Sequence, residues 1–261
     1  MAQKDTVNCL LEAAEELFSE RGFAETSLRN ITTRAGVNLA SVNYHFGSKK
    51  SLIQAVFARF LAPFSQELDR SLSEYEKTLK GKRAELTILL TIAADTAFRS
   101  SSDRPQRLNI FMRLLGLAYT QGQGHLRRFL RAEYGDVFDR FSLQLSQATP
   151  HLTNEERFWR FHFMLGATMF SLSGVDSLTA MATHDLGKRS DVTDVIGQLI
   201  PFLASGMQAP SSVASSVTSN DKTASVSDDL SQKSSNLTSD AASEKSVNGS
   251  VKASNRARLP I

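Results

Sequence analysis

Between residues 38 and 50 the chain reads NLASVNYHFGSKK, a run of small, amide, hydroxyl and ring side chains closed by two lysines. These groups suit nucleic acid better than a hydrocarbon core. An asparagine can read adenine through two hydrogen bonds, a serine can bond several bases, and Ala or Leu can touch a thymine methyl. On a helix beginning at Leu39, the residues that face base edges are Leu39, Ala40, Ser41 and Asn43, while Val42 and Phe46 turn into a small core. Tyr44 and His45 offer ring O–H and N–H groups to phosphates. Lys49 and Lys50 open the next helix, where the macrodipole alone prefers acids. A bound phosphate explains cations placed against that preference, because a helix N-terminus is itself a phosphate donor.

The charge distribution fits the same chemistry. The formal net charge is +3 and the pI about 9.0, which says little by itself. No Asp or Glu occurs between residues 26 and 66, whereas Arg29, Arg34, Lys49, Lys50 and Arg59 all lie there, and the acids of this half sit upstream, in residues 5–25. A locally positive face on a nearly neutral chain is what a duplex-binding module needs. Arg34 itself reads as a solvated surface charge.

Several helices must position these groups. Val7, Leu10, Leu11, Ala14, Leu17 and Phe18 recur at spacings of three and four, and Gly22 stops that helix. Thr26 is expected to cap a second helix over 27–35 with Leu28, Ile31 and Ala35 inside. Gly36 then turns the chain, Asn38 caps a third helix over 39–45, and Ser48 caps a fourth. Two helices joined by a short Gly-containing turn are a helix-turn-helix candidate. The fourth helix carries Leu52, Val56, Phe57, Phe60, Leu61, Phe64 and Leu68, too many apolar groups for a surface rod, and Pro63 predicts a kink or break. Gly81 precedes a helix over 83–99, and Pro105 is a plausible first-turn residue of the next. Further helical stretches begin near His125 and Asn154, with a last one over 191–207. Sustained alternation is absent, so the fold is expected to be all-α with about nine helices. The expected divisions are a helix-turn-helix domain over 1–50, a helical ligand-binding and dimerisation domain over 51–207, and a disordered Ser-rich tail over 208–261 with Arg256 and Arg258 near its end.

Other classes are disfavoured. No run of about 18 apolar residues could span a membrane, and the acids near the N-terminus argue against an export signal, so a cytoplasmic, nucleoid-associated location is expected. The single cysteine, Cys9, excludes an internal disulfide. His125, His151, His162 and His184 share no metal-ligand spacing, and His162, set among aromatics, reads as a packing residue. Gly122 and Gly124 begin a GxGxxG pattern that ends in Arg127 with no strand before it, so a dinucleotide site fails. No cofactor, metal or catalytic group is expected.

The stretch FSERGFAETSLRNITTRAGVNLASVNYHFGSKKSLIQAVF resembles the N-terminal signature of the TetR family of bacterial transcriptional regulators. The resemblance implies a homodimeric helical repressor with a variable C-terminal ligand domain. It also implies that Arg29, Ser41 and Asn43 face bases while Thr26, Tyr44, His45 and Lys49 face phosphates. Many relatives carry Tyr where this chain has Asn43. Continued to Phe64, the stretch looks like the PsrA-type members, regulators of fatty-acid metabolism that respond to long-chain fatty acids.

The C-terminal half is rich in Phe and Met, and Met fills irregular space adaptably, as a cavity for an alkyl chain requires. Phe111, Met112, Phe163, Met164 and Phe170 are candidate pocket residues, with Arg113 placed to pair with a carboxylate of a long-chain fatty acid or to meet an acyl-CoA. A dimer is expected to form through residues 155–174 and 191–207 as a four-helix bundle, with Gly166, Ala167 and Ser171 permitting close approach, Trp159 as anchor, and Ile196 and Leu199 in the seam. Two recognition helices about 34 Å apart then fit successive major grooves of a palindromic operator. The alternative reading is a helical small-molecule-binding enzyme whose N-terminal helices are a protein docking module.

Overall fold

The computed structural model describes residues 3–211 except Asp103, Pro105 and Lys188. The Ser-rich segment from residue 212 onward, Arg256 and Arg258, and the expected first-turn role of Pro105 lie outside the described residues. Ten helices follow one another, and no strand occurs among the described residues: α1 (Gln3–Glu25), α2 (Leu28–Ala35), α3 (Leu39–Phe46), α4 (Lys49–Leu79), α5 (Leu86–Arg99), α6 (Gln106–Thr120), α7 (Gly124–Ala148), α8 (Asn154–Ser173), α9 (Val175–Leu186) and α10 (Val192–Gln208).

The apolar stripe of α1 packs as its spacing requires, with Leu10, Leu11, Ala14, Leu17 and Phe18 buried. At Gly22 the backbone leaves helical geometry, at φ 80° and ψ 170°, a region essentially closed to residues with a Cβ. The break folds Phe23 back onto Phe18, with ring centroids 5.3 Å apart, and toward Phe57 of α4 at 6.3 Å. Phe57 and Phe60 in turn meet Phe111 of α6, at 5.7 and 4.0 Å. One core therefore joins α1–α4 to α6 and the start of α7. A second core lies between α5, α7, α8, α10 and the C-terminal half of α4.

As the density of apolar groups demands, α4 is the spine through both cores. It runs unbroken through Pro63, so of the kink or break expected there the break does not occur. Pro63 is exposed, so the carbonyl that loses its amide partner lies on the wet side of the helix. The helix expected from residue 83 begins three residues later. Lys80 and Gly81, at φ 45° and 84°, turn the chain, and the Glu85 amide donates to the Tyr75 hydroxyl at 2.8 Å, which holds the connection against α4. The tenth helix, α9, is the one the sequence reading omits. Gly174 ends α8 and at once opens α9, whose residues are mostly exposed, so the helix has only a weak apolar stripe to announce it.

Arg140 of α7 clamps α4, donating to Glu76 at 2.5 and 3.1 Å and to Asp69 at 2.6 Å. The Arg140 hydrogen bonds, helped by Gln144, hold the Glu76 carboxyl below its usual 4.5. A depressed carboxylate stabilises the fold above its unfolded value and loses that contribution as the pH falls through the folded one. Glu76→Gln should therefore cost about 1 kcal/mol at pH 7, an amount discounted for partial exposure. Urea titrations of both proteins should show the difference shrinking as pH drops through 4.5 and below.

Candidate nucleic-acid interface and ligand cavity

The helix-turn-helix is built from local signals. Ser27 caps α2 by accepting the Asn30 amide at 3.1 Å. Gly36, at φ 67°, takes the left-handed conformation that ends α2, where the Val37 amide donates to Thr32 O at 3.0 Å. Asn38 caps α3, accepting the Ser41 amide at 2.9 Å and its hydroxyl at 3.1 Å. Gly47, at φ 70°, closes α3, and Ser48 caps α4. Ile31 and Val42 are fully buried and pin α2 and α3 to α1 and α4.

Val42 faces inward, so the opposite side of α3 is left to solvent. Leu39, Ala40 and Asn43 are exposed, as is Arg29 of α2. Tyr44 is 76% exposed and meets His45 edge-on at 5.0 Å, while Phe46 packs against the core. Ser41 is half-buried, its hydroxyl given to Asn38. The Lys49 ammonium donates to Ala24 O at 3.3 Å, which leaves donor capacity free, and Lys50 is exposed.

Three expectations for this face need correction. Thr26 does not cap α2 and does not present its side chain outward. It is fully buried, and its hydroxyl donates to Gly22 O at 2.8 Å and Leu17 O at 3.1 Å, so it locks the start of α2 to the broken end of α1. Arg34 is the surface charge expected, but it pairs there with Glu16 at 2.9 Å and so adds little to the positive face. Arg59 is turned inward to Glu12 and Glu15, both at 3.3 Å, and Arg104 also reaches Glu12 at 2.6 Å. Burial pushes the Glu15 carboxyl up, against the pull of Arg59, Arg107 and Arg104. The positive face thus rests on Arg29, Lys49 and Lys50, because acids of α1 neutralise the other arginines.

Below this module a cavity of about 500 Å³ lies between α4, α5, α6, α7, α8 and α10. Phe111, Met112 and Met164 line it as expected. Phe163 and Phe170 do not: they are 67% and 70% exposed on the far side of α8. Neighbours on a helix point about 100° apart, so Phe163 cannot share the direction of Met164. Arg113 is also outside, donating to Ser173 O at 3.1 Å and tying α6 to the end of α8. Ile196 and Leu199, expected between subunits, face the cavity instead. His162 is a packing residue, its Nδ1 2.7 Å from Phe158 O. Trp159 stands on the exposed face of α8, stacked near Phe163 at 6.1 Å.

Sequence reasoning missed the polar rim of this cavity. Tyr119, Gln123 and Arg127 line it around the α6–α7 turn, the last two within the QGQGHLRRF stretch that fails as a dinucleotide motif. Gln121 of the same turn points the other way and accepts the Phe23 amide at 3.0 Å. Among the described residues no group of three or more His, Cys, Asp or Glu could hold a metal, and no helix is long and apolar enough to cross a membrane.

A capped three-helix module with an outward polar helix, set on an all-helical body, defines a helix-turn-helix transcriptional regulator. Residues 10–56 match the bacterial regulatory proteins of the tetR family, and residues 92–206 match the tetracyclin repressor-like C-terminal domain. The chain belongs to the TetR family of transcriptional regulators. It is 34% identical over 68 residues to the probable HTH-type transcriptional regulator YttP of Bacillus subtilis (strain 168), covering 26% of this chain and 33% of that protein. It is 44% identical over 54 residues to the HTH-type transcriptional repressor Rv3405c of Mycobacterium tuberculosis (strain ATCC 25618 / H37Rv), covering 21% and 29%. The chain thus spans about a third of the length of these curated relatives. In fold it is similar to the fatty acid degradation regulator FadR from Bacillus halodurans, with a TM-score of 0.51 and 15% identity over 77% of this chain and 95% of that one.

Proposed function

We propose that the protein is a cytoplasmic, nucleoid-associated repressor that binds a palindromic operator as a homodimer and releases it when a long-chain fatty acid or acyl-CoA fills the cavity, so controlling fatty-acid metabolism. The observation that carries the ligand reading is the cavity of about 500 Å³, walled by Phe, Leu, Ile and Met from six helices. Its size lies in the range of small-molecule sites, and each buried methylene adds about 0.8 kcal/mol. The resemblance to PsrA-type regulators points to the same ligand class.

In this reading Arg29, Leu39, Ala40, Ser41 and Asn43 face bases, and Tyr44, His45, Lys49 and Lys50 face phosphates. The residues over 1–50 serve as the DNA-binding domain and those over 51–207 as the ligand-binding and dimerisation domain. The dimer seam is the exposed aromatic face of α8 and α10, with Trp159, Phe163, Phe170 and Phe202 as anchors and Gly166, Ala167 and Ser171 allowing close approach. An effector releases DNA only by binding the non-operator state more tightly, and a coupling of about 1 to 3 kcal/mol weakens operator binding roughly 5- to 150-fold.

Selection of bound duplexes from a random pool should return a two-fold symmetric sequence, and oleate or oleoyl-CoA should release it in a mobility shift. Failure of both ligands to do so would overturn the effector class and leave the DNA assignment standing. Lys49→Ala should weaken operator and scrambled DNA alike and lower the salt slope by about one unit. An unchanged slope, measured by anisotropy across a salt series, removes Lys49 from the phosphate contacts.

A further inference from the structure

The α6–α7 turn has two faces. Toward the cavity it brings Tyr119, Gln123 and Arg127 to the rim of an otherwise apolar space. Arg127 enters no ion pair among the described residues. Its charge is felt at the Tyr119 hydroxyl, whose pKa is raised by burial and drawn back down by the guanidinium. A guanidinium and a neutral phenol at the open end of a hydrocarbon pocket are donors in search of an acceptor. The matching ligand is an amphiphile with its apolar tail among Phe111, Met112 and Met164 and a negative group at the rim.

Away from the cavity the same turn holds the DNA-binding module. The break at Gly22 frees the Phe23 amide from the helix, and Gln121 Oε1 accepts it at 3.0 Å. The side chain lies so close that a Cβ added at Gly22 would stand 2.7 Å from Gln121 Nε2. The adjoining residues anchor both later helices: Thr26 binds Gly22 O before α2, and Lys49 at the start of α4 binds Ala24 O. A displacement of residues 121–124 therefore acts directly on the segment from which α2 and α4 are set.

We propose that Arg127, with Tyr119 and Gln123, forms the subsite for an anionic group of the effector, and that Gln121 transmits occupancy of that subsite to α1 and the helix-turn-helix. The proposal rests on the apolar-effector reading above and adds the anchor and the route. The anion can be a fatty carboxylate or the phosphates of a CoA thioester, and both present acceptors to the same guanidinium.

Calorimetric titration of the full-length protein with oleate, oleoyl-CoA and neutral oleyl alcohol tests it, together with operator affinity measured with and without each ligand. The intact protein should bind an anionic ligand at least about tenfold more tightly than the alcohol. Whichever anion leads identifies the carboxylate or the phosphates as the partner. Arg127→Gln should lose that preference and keep its affinity for oleyl alcohol. Gln121→Ala should bind the preferred anion within about twofold of the intact protein, yet that ligand should no longer change its operator affinity by more than about twofold. Equal binding of all three ligands to the intact protein overturns the anionic subsite and leaves an apolar effector in place. Binding of none overturns the subsite and the fatty-acid reading together. Undiminished coupling in Gln121→Ala removes Gln121 from the route.

Discussion

Ala40→Glu lowers operator affinity by at least about 100-fold, because a carboxylate set against base edges and phosphates costs several kcal/mol. Ala40 is exposed in the first turn of α3, where no neighbour must move to admit a longer side chain. A negative charge there is also favourable to the helix itself, since it faces the positive end of the macrodipole. Thermal stability should therefore hold or rise slightly while DNA binding collapses. No acid occurs in the sequence between residues 26 and 66, so the substitution sets a lone carboxylate within a face that rests on Arg29, Lys49 and Lys50. Ala40→Gln separates bulk from charge and should lose far less. Anisotropy with the selected operator, paired with a melting curve, gives both readings. Affinity retained within a few-fold would place the start of α3 outside the interface.

The helix-turn-helix is legible in the sequence because its boundaries are punctuated by residue types with local mechanisms. Asn38 and Ser48 cap where they were expected, and Gly36 and Gly47 take the positive φ that ends a helix. Thr26 and Ser27 are both capping types, and sequence cannot choose between them. Tertiary structure chooses, since the Thr26 hydroxyl is spent on carbonyls at the end of α1 and Ser27 is left to cap. The basic window is a similar case. Its arginines are visible, but which of them are free depends on the acids of α1, which come to Arg34 and Arg59 only once α2 and α4 pack against α1.

The body of the protein is less legible because α8 carries large apolar groups around most of its circumference. Periodicity identifies such a helix without telling which stripe faces the cavity and which faces outward. Met164 and Phe163 therefore read alike in sequence and end on different sides. The polar rim was hidden for another reason. Tyr119, Gln123 and Arg127 come from the end of one helix, a turn and the start of the next, and no fixed spacing announces a cluster of that kind.

Phe163→Glu converts the proposed dimer into a monomer and lowers operator affinity by about 100- to 1,000-fold, the advantage that two linked half-site contacts hold over one. Trp159, Phe163 and Phe170 are 51%, 67% and 70% exposed on α8, and Phe202 of α10 is 68% exposed. Exposed aromatics concentrated on two helices form the kind of patch that marks a protein contact, and a two-fold interface presents each residue twice. One glutamate at position 163 thus places two buried charges in the seam, each costing several kcal/mol unless paired. The substitution spares the folded chain, because the side chain of Phe163 points away from the cavity and both cores. Light scattering should report half the mass at unchanged helicity by circular dichroism, and calorimetry should report unchanged ligand affinity. A variant that stays dimeric with full operator affinity would move the subunit contact off this face of α8.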